Sequence, residues 1–277
     1  MKQSARVVFI CHSSFYVETE HVQMLFDYYR GNLPAMDPQK PLIVFASHRH
    51  GDHFSKKIFE LAGKAAAIFY VLSDDIGRGR VPANLKDRTF FIGPDAEMQV
   101  PAVDGRTADE LARDDMLYDF DRRIDGAQCC EGVSPSFKRC EDGVAVRVRT
   151  LPSNDAGVAF IVETEGLRFY HAGDLNNWWW DGDEEDQRMA EFYRAQLEKI
   201  RGMTFDAAFI PLDPRISGWW MGAEDFLRYA DAGLIFPMHF GEDPSIVRQL
   251  AERWQGSPYL CRLAQVRRTG QEFLLEH

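Results

Sequence analysis

The sequence predicts an α/β protein, a four-layer αββα sandwich in which two mixed β-sheets stack between flanking helices. Three observations predict it. Short Val-, Ile- and Phe-rich runs crowd both halves of the chain, helical stretches follow them, and no Pro- or Ser-rich linker divides the halves. Of 277 residues, 45% are apolar and 27% charged, the balance of a folded chain with a large core. The whole chain, residues 1–277, reads as one domain with an insertion at about 101–143.

In the first third, the runs Arg6 to Cys11, Phe15 to Thr19, Val22 to Tyr28, Leu42 to Ala46, Ala67 to Leu72 and Thr89 to Ile92 have strand length and β-rich composition. Ser55 to Lys64 differs. It sets Ile58, Phe59, Leu61 and Ala62 at helical spacing, as in a helix packed on a sheet. Pro101 to Gly143 is rich in charge and reads as the insertion, with helical character near Thr107 to Met116. The second strand set is Val144 to Leu151, Gly157 to Glu163 and Leu167 to His171, the last two joined by a Thr164-Glu165-Gly166 hairpin turn. Helices then alternate with strands: helix Glu184 to Arg201, strand Ala207 to Pro211, helix Ala223 to Ala232, strand Gly233 to Pro237 and helix Pro244 to Gln255. Terminal strands are expected near Tyr259 to Val266 and at Glu272 to Leu275.

Charge and cysteine content exclude several functions. Acidic residues outnumber basic ones 43 to 32, and a net charge of −11 repels a phosphate backbone, so no nucleic-acid partner is expected. The short basic cluster Arg262 to Arg268 alternates with apolar residues, as a solvated strand face does. No stretch approaches the ~20 apolar residues of a membrane span, and the start MKQSARVVFICHSS lacks a signal-peptide core, which leads to the expectation of a cytoplasmic protein with no membrane partner. Cys11, Cys129, Cys130, Cys140 and Cys261 form no CxxC pair, so they read as reduced thiols and not as zinc ligands. Homo-oligomerisation is left open.

The chemistry concentrates after the strand ending at Ala46, in His48-Arg49-His50-Gly51-Asp52-His53. If the segment is extended, His48 and His50 face one side and can share an ion, while Asp52 and His53, at the turn into a helix, face a second position. Three histidines and an aspartate within six residues at a strand end point to metal binding.

His48, His50, Asp52 and His53 match the His-x-His-x-Asp-His signature of the metallo-β-lactamase superfamily, which the chain resembles over nearly its whole length outside the insertion. The segment Phe169 to Asp174 resembles the superfamily's strand ending in Gly-Asp, and Leu234 to His239 its apolar strand ending in a histidine ligand. His12-Ser13-Ser14-Phe15 is similar to the branch that includes ascorbate-6-phosphate lactonase-like proteins. The resemblance implies metal ligation by His48, His50, Asp52, His53, Asp174 and His239. The family's further histidine ligand of the first metal is replaced here by Ser153-Asn154-Asp155-Ala156. Either Asn154 or Asp155 supplies oxygen instead, or the first site is weak and one ion sits between Asp52, His53, Asp174 and His239. Zinc is the expected metal, one or two ions, and the carboxylate-rich donors also suit manganese or iron.

The function implied is metal-dependent hydrolysis of a small-molecule ester, lactone, phosphoester or amide by a metal-bound hydroxide. Asp52 is the expected acceptor of the water proton. His12 is either a substrate contact or leaving-group proton donor, or a strand-end histidine bonded to backbone. Asp213 and Arg215 are candidate substrate contacts, with a Pro-flanked turn as the plainer account of Asp213. Trp178, Trp179, Trp180, Trp219 and Trp220 either line a mouth or pack the helix after Asp183 onto the sandwich. The competing readings are a non-catalytic or weakly catalytic metal-binding member of the fold and, further off, a nuclease.

Overall fold

The computed structural model describes residues 3–103 and 144–276. The expected helix near Thr107 to Met116 and the cysteines Cys129, Cys130 and Cys140 lie outside them. Thirteen strands form two sheets. The first sheet contains β1 (Ser4–Cys11), β2 (Ser14–Glu18), β3 (Gln23–Phe26), β4 (Leu42–Ala46), β5 (Ile68–Ser73), β6 (Thr89–Ile92) and β13 (Glu272–Glu276), in the order β13-β1-β2-β3-β4-β5-β6. The second contains β7 (Glu97–Val103), β8 (Val144–Pro152), β9 (Val158–Thr164), β10 (Leu167–His171), β11 (Thr204–Pro211) and β12 (Asp231–Met238), in the order β12-β11-β10-β9-β8-β7. Both are mixed: β3 to β6 run parallel, as do β10 to β12, and the other pairs are antiparallel.

The period-2 geometry of a strand explains how one short run serves two cores. In β4, Ile43 and Phe45 point into the space between the sheets, while Leu42, Val44 and Ala46 belong to a separate cluster on the outer face. β5 divides the same way, with Phe69 and Val71 inward and Ile68, Tyr70 and Leu72 outward. The inter-sheet core is aromatic at its centre: Phe209 of β11 packs its ring 4.6 Å from Phe15, 6.0 Å from Phe26 and 5.2 Å from Phe236.

The two outer layers differ. Among the described residues, three α-helices lie over the second sheet, α1 (Glu184–Glu198), α2 (Met221–Tyr229) and α3 (Ser245–Arg253). α1 starts where Asp183 caps it, its side chain accepting from the N–H groups of Glu185 and Asp186, with three acidic residues in the first turn facing the positive helix end. Its Tyr193 and Leu197, with Phe226 of α2, cover Tyr170 and Phe205. Over the first sheet, the outer layer among the described residues consists of 3₁₀ turns. The expected helix at Ser55 to Lys64 is one of them, Lys56–Leu61, burying Ile58, Phe59 and Leu61 under a Ser55 cap. Gly63, at φ 88°, ends the run two residues beyond Leu61, and a run this short closes in i→i+3 bonds instead of propagating an α-helix.

Two expectations are corrected. Tyr259 to Val266 is not a strand: Pro258–Arg262 is a 3₁₀ turn, started by proline at its first position and capped by Ser257, and only Leu263 forms a bridge, to Ile235. The edge strand β7, which overlaps the supposed insertion, was not anticipated, although Met98 and Val100 alternate with Glu97 and Gln99; it pairs with β8. The hairpin turn is as expected, with Glu165 and Gly166 both at positive φ (52° and 79°).

Removing the ring at the centre of the core leaves a cavity, so Phe209→Ala should lower stability by about 3–5 kcal/mol. Urea unfolding should show a lower midpoint at an unchanged slope.

Candidate metal centre

Every residue of the centre stands at or just beyond the carboxyl end of a strand. His12 follows β1, Asp27 β3, Ser47 to His53 β4, Asp155 β8, Asp174 β10, Asp213 β11 and His239 β12. Stacking the sheets puts these ends on one rim. Backbone bonds sew the rim together: Val158 N–H donates to Ser47 O at 3.0 Å and His239 N–H to His12 O at 3.2 Å. The backbones approach so closely that a Cβ on Gly157 would lie 2.0 Å from Ser47 O, and one on Gly173 would lie 2.8 Å from Val158 O. Both glycines also sit at positive φ, 62° and 53°.

The segment from His48 to His53 is not extended. It turns, with the N–H groups of His53 and Phe54 both donating to His50 O at 3.1 and 2.8 Å. The turn still brings His48 and His50 together, with ring centroids 4.6 Å apart, and folds His53 back to 4.1 Å from His48. Two sets of donor atoms result, each mutually within 4.8 Å: His48, His50, Asp155 and Asp174, and His12, Asp52, His53 and His239. Asp174 joins them. Its Oδ2 faces His48 Nε2 at 3.3 Å, and its Oδ1 faces His53 Nε2 at 3.1 Å and His239 Nε2 at 3.4 Å. All six residues singled out by the motif and its partners thus converge.

Hydrogen bonds behind the cluster fix which ring nitrogen is bare. His53 Nδ1 donates to Asp27 Oδ2 at 2.7 Å, and His239 Nδ1 donates to Asp213 Oδ2 at 3.1 Å. Ser47 Oγ gives its proton to Asp27 Oδ2 at 2.7 Å and so accepts from His48 Nδ1 at 3.0 Å. Each neutral imidazole therefore turns an unprotonated Nε2 inward. His48 Nε2, His53 Nε2 and Asp174 Oδ1 are buried with no hydrogen-bond partner. Converging bare lone pairs in a buried place are what a divalent cation satisfies, so the residues present fit a metal.

His12 differs from the other three. Its Nδ1 accepts from Gly241 N–H at 3.1 Å, which leaves the proton of the neutral ring on Nε2, 3.4 Å from Asp52 Oδ2. The backbone contact expected of a strand-end histidine is present, and the other edge of the ring faces Asp52.

Protonation follows the same contacts. The His12 contact, against the opposing effect of partial burial, holds Asp52 well below the usual carboxylate range. Burial pushes Asp174 up, but the imidazoles of His53, His48 and His239 outweigh it and hold the carboxyl ionised far into acid. Burial pushes His48 and His239 down, yet Asp174 beside His48 and Asp213 beside His239 raise both above the ordinary imidazole value. The floor is closed and the mouth open: His48 and His53 are fully buried, while the Asp52, His50 and Asp155 side chains are 47%, 44% and 46% exposed.

The sequence offered two candidates for the vacant ligand position after β8. Asn154 is committed elsewhere, its Nδ2 donating to Asn176 O at 2.7 Å and its Oδ1 accepting from Asn176 N–H at 3.2 Å. Asp155 Oδ2 lies 3.8 Å from His50 Nδ1. Asp27 was not anticipated, because a lone aspartate after a strand carries no sequence signal; only its position behind Ser47 and His53 gives it a role. His171 stays outside the donor sets, donating from Nε2 to Ser13 O at 3.0 Å and accepting from Gly173 N–H at 3.2 Å. The tryptophans divide. Trp178 Nε1 donates to Asp174 O at 2.9 Å beneath His239, Trp179 packs against Gly182 and Gly218, Trp220 lies under Arg253, and Trp180 is 44% exposed.

A protein-family model, the beta-lactamase superfamily domain, matches residues 6–187 of the 277. The chain belongs to the β-lactamase superfamily. The match takes in His12, the loop from His48 to His53, Asp155 and Asp174, and ends before Asp213 and His239. The superfamily fold extends over the rest. The structure is similar to Igni18, a metallo hydrolase from the archaeon Ignicoccus hospitalis, with a TM-score of 0.55 and 16% identity over 99% of each chain. It is similar to the metallo-β-lactamase fold protein YhfI from Bacillus subtilis, with a TM-score of 0.50 and 11% identity over 98% of this chain and 99% of that one. CmlA, a diiron β-hydroxylase from Streptomyces venezuelae, shares a TM-score of 0.50 and 10% identity over 99% of this chain but 54% of its own. At these identities the likeness is one of fold. No curated protein sequence matches the chain.

Because one buried carboxylate fixes two imidazoles, Asp27→Asn should weaken metal affinity about 10–100-fold. Isothermal titration of metal into the apoprotein reads this directly, and Ser47→Ala should reproduce part of the loss.

Proposed function

We propose that the chain is a metal-dependent hydrolase of a small-molecule ester, lactone, phosphoester or amide. The observation that carries the reading is the convergence of His48 Nε2, His53 Nε2 and Asp174 Oδ1, buried and without partners, on a shared carboxylate at an open mouth. In this reading His48, His50 and Asp155 would hold one ion and Asp52, His53 and His239 a second, with the Asp174 carboxylate, whose oxygens face histidines of both sets, available to either. Zinc is the assignment the imidazole donors favour, and with Asp52, Asp155 and Asp174 in the set manganese and iron are tested beside it.

A divalent ion supplies an activated water at neutral pH and polarises the oxygen of the bond under attack. The chain's own groups do the rest. The Asp52 carboxylate, half-exposed at the mouth, takes the proton released from the attacking water. His12 presents an Nε2 proton to the leaving group, its ring held by the Gly241 N–H on the other nitrogen. His12 and His239 both adopt positive φ, 50° and 65°, a strained conformation for residues with a side chain and one that the surrounding bonds hold at the site.

Elemental analysis of protein reconstituted with zinc, manganese or iron should find two equivalents bound. Asp155→Ala should lower the content by one, and Asp174→Ala should abolish turnover of whichever phosphodiester, lactone or amide substrate a generic screen identifies. Protein that takes up no metal after reconstitution refutes the hydrolase.

The pH dependence of binding has a definite sign. His48 and His239 are raised above the ordinary imidazole value in the metal-free protein, so protons compete with metal below those raised values and are released on uptake. Metal affinity should fall as pH drops below those raised values, and titration in buffers of differing ionisation enthalpy should report the proton release.

A further inference from the structure

Arg215 projects from the loop between β11 and α2, beside the metal centre. Its Nε donates to both Asp213 oxygens, Oδ1 at 2.9 Å and Oδ2 at 3.0 Å, and its backbone N–H donates to Oδ1 at 2.9 Å. The same fully buried carboxylate receives the His239 Nδ1 proton at 3.1 Å. The guanidinium therefore stands one carboxylate away from a histidine of the cluster. Asp52 and Asp174 lie within its electrostatic reach. Even so, the Arg215 side chain is 67% exposed.

With the arginine itself 67% exposed, solvent screens its side of the pair, and Asp213 already has the His239 ring and a backbone N–H for partners. What the pairing does accomplish is to immobilise the arginine. A guanidinium carries five N–H donors in a planar fork, and only the Nε edge, with one Nη2 hydrogen, is committed to Asp213. The Nη1 hydrogens and the outer Nη2 hydrogen remain, in a fixed orientation that suits a planar or tetrahedral oxyanion. Other arginines around the mouth are engaged. Arg30 donates to Tyr29 Oη at 3.0 Å and pairs with Glu242 at 2.9 Å, and Arg49 lies 3.6 Å from Asp75.

We propose that Arg215 determines substrate specificity by binding an oxyanion of the substrate, carboxylate or phosphoryl, seated beside the metal centre. The inference rests on the hydrolase reading for the identity of the neighbouring site. It narrows the substrate class to small molecules that carry a negative group near the bond to be cleaved. In a chain of net charge −11, a fixed cation at the mouth offsets the general repulsion of such a molecule.

The test uses metal-loaded protein with its metal content measured, and two probes, succinate and inorganic phosphate, titrated calorimetrically into wild type, Arg215→Gln and Arg215→Lys. Loss of a charge-assisted pair should weaken the preferred probe at least about 10-fold in Arg215→Gln. Arg215→Lys should fall between, since an ammonium supplies charge without the fork. The probe that loses more separates carboxylate from phosphoryl. Equal affinities in wild type and Arg215→Gln overturn the proposal, and so does loss of metal from Arg215→Gln, which would make Arg215 a support for Asp213 and His239 only. A second arm compares kcat/KM for 4-nitrophenyl hemisuccinate with that for the neutral 4-nitrophenyl butyrate, a ratio that should fall in Arg215→Gln. A wild type that binds an anion through Arg215 but hydrolyses neither ester supports the seat and counts against the hydrolase. Hydrolysis of both esters with an unchanged ratio in the variant overturns the seat and leaves the hydrolase standing.

Discussion

The Asp27 carboxylate is the interaction on which the centre depends. A fully buried charge is tolerated only when its lone pairs are used, and Asp27 accepts from Ser47 N–H at 2.7 Å, from Ser47 Oγ at 2.7 Å and from His53 Nδ1 at 2.7 Å. Burial opposes its ionisation, but the imidazoles of His171 and His53 and the bonded protons outweigh it, so Asp27 stays charged. Its backbone is in the left-handed region, φ 45°, held by the bond from its N–H to Phe45 O at 2.9 Å. One side chain thereby ties the end of β3 to the end of β4 and dictates the tautomer of histidines in both donor sets.

The rim around it is a consequence of the sandwich. Strands of both sheets end there, and at each end the chain leaves regular hydrogen bonding with backbone groups free to engage a neighbour. His12 O, Ser13 O and Ser47 O accept from the other sheet, from His239 N–H, His171 Nε2 and Val158 N–H. These bonds cross the gap between sheets whose interior is otherwise hydrophobic, so the polar rim sits at one end of a dry core. Gly157 and Gly173 permit the approach. The same proximity that leaves no room for their Cβ atoms brings His48 to Asp174.

Carboxylates and imidazoles alternate through the site in a way that controls charge. Asp174 faces three imidazoles on its own side, and Asp27 and Asp213 stand behind them. Each buried carboxylate is held ionised, and the Nε2 of His48, His53 and His239 faces inward without a proton whenever its ring is neutral, which suits a cation. The outer ring is different in kind: Asp52, His50 and Asp155 are half-exposed and reach toward solvent.

The sequence by itself determined most of the strand set, with β7 missed and Tyr259 to Val266 misread, because strands buried on both faces read as apolar runs whatever their neighbours are. It also picked out His48, His50, Asp52 and His53 as one cluster, whose local spacing survives even though the segment turns instead of extending. Asp174 and His239 were legible through resemblance and through their place after apolar strands. Tertiary structure alone decided the rest. The 3₁₀ character of Lys56–Leu61 and Pro258–Arg262 depends on how far a turn can propagate against its sheet. Asp155 and not Asn154 points into the site because Asn154 is drawn to the backbone of Asn176. Asp27 and Asp213 gain their places behind the cluster from contacts far apart in sequence, Asp27 with His53 and Asp213 with His239, each 26 apart. A composition or a motif records which donors a chain possesses. Which ring nitrogen faces inward is set by a hydrogen bond from a residue that only folding brings near.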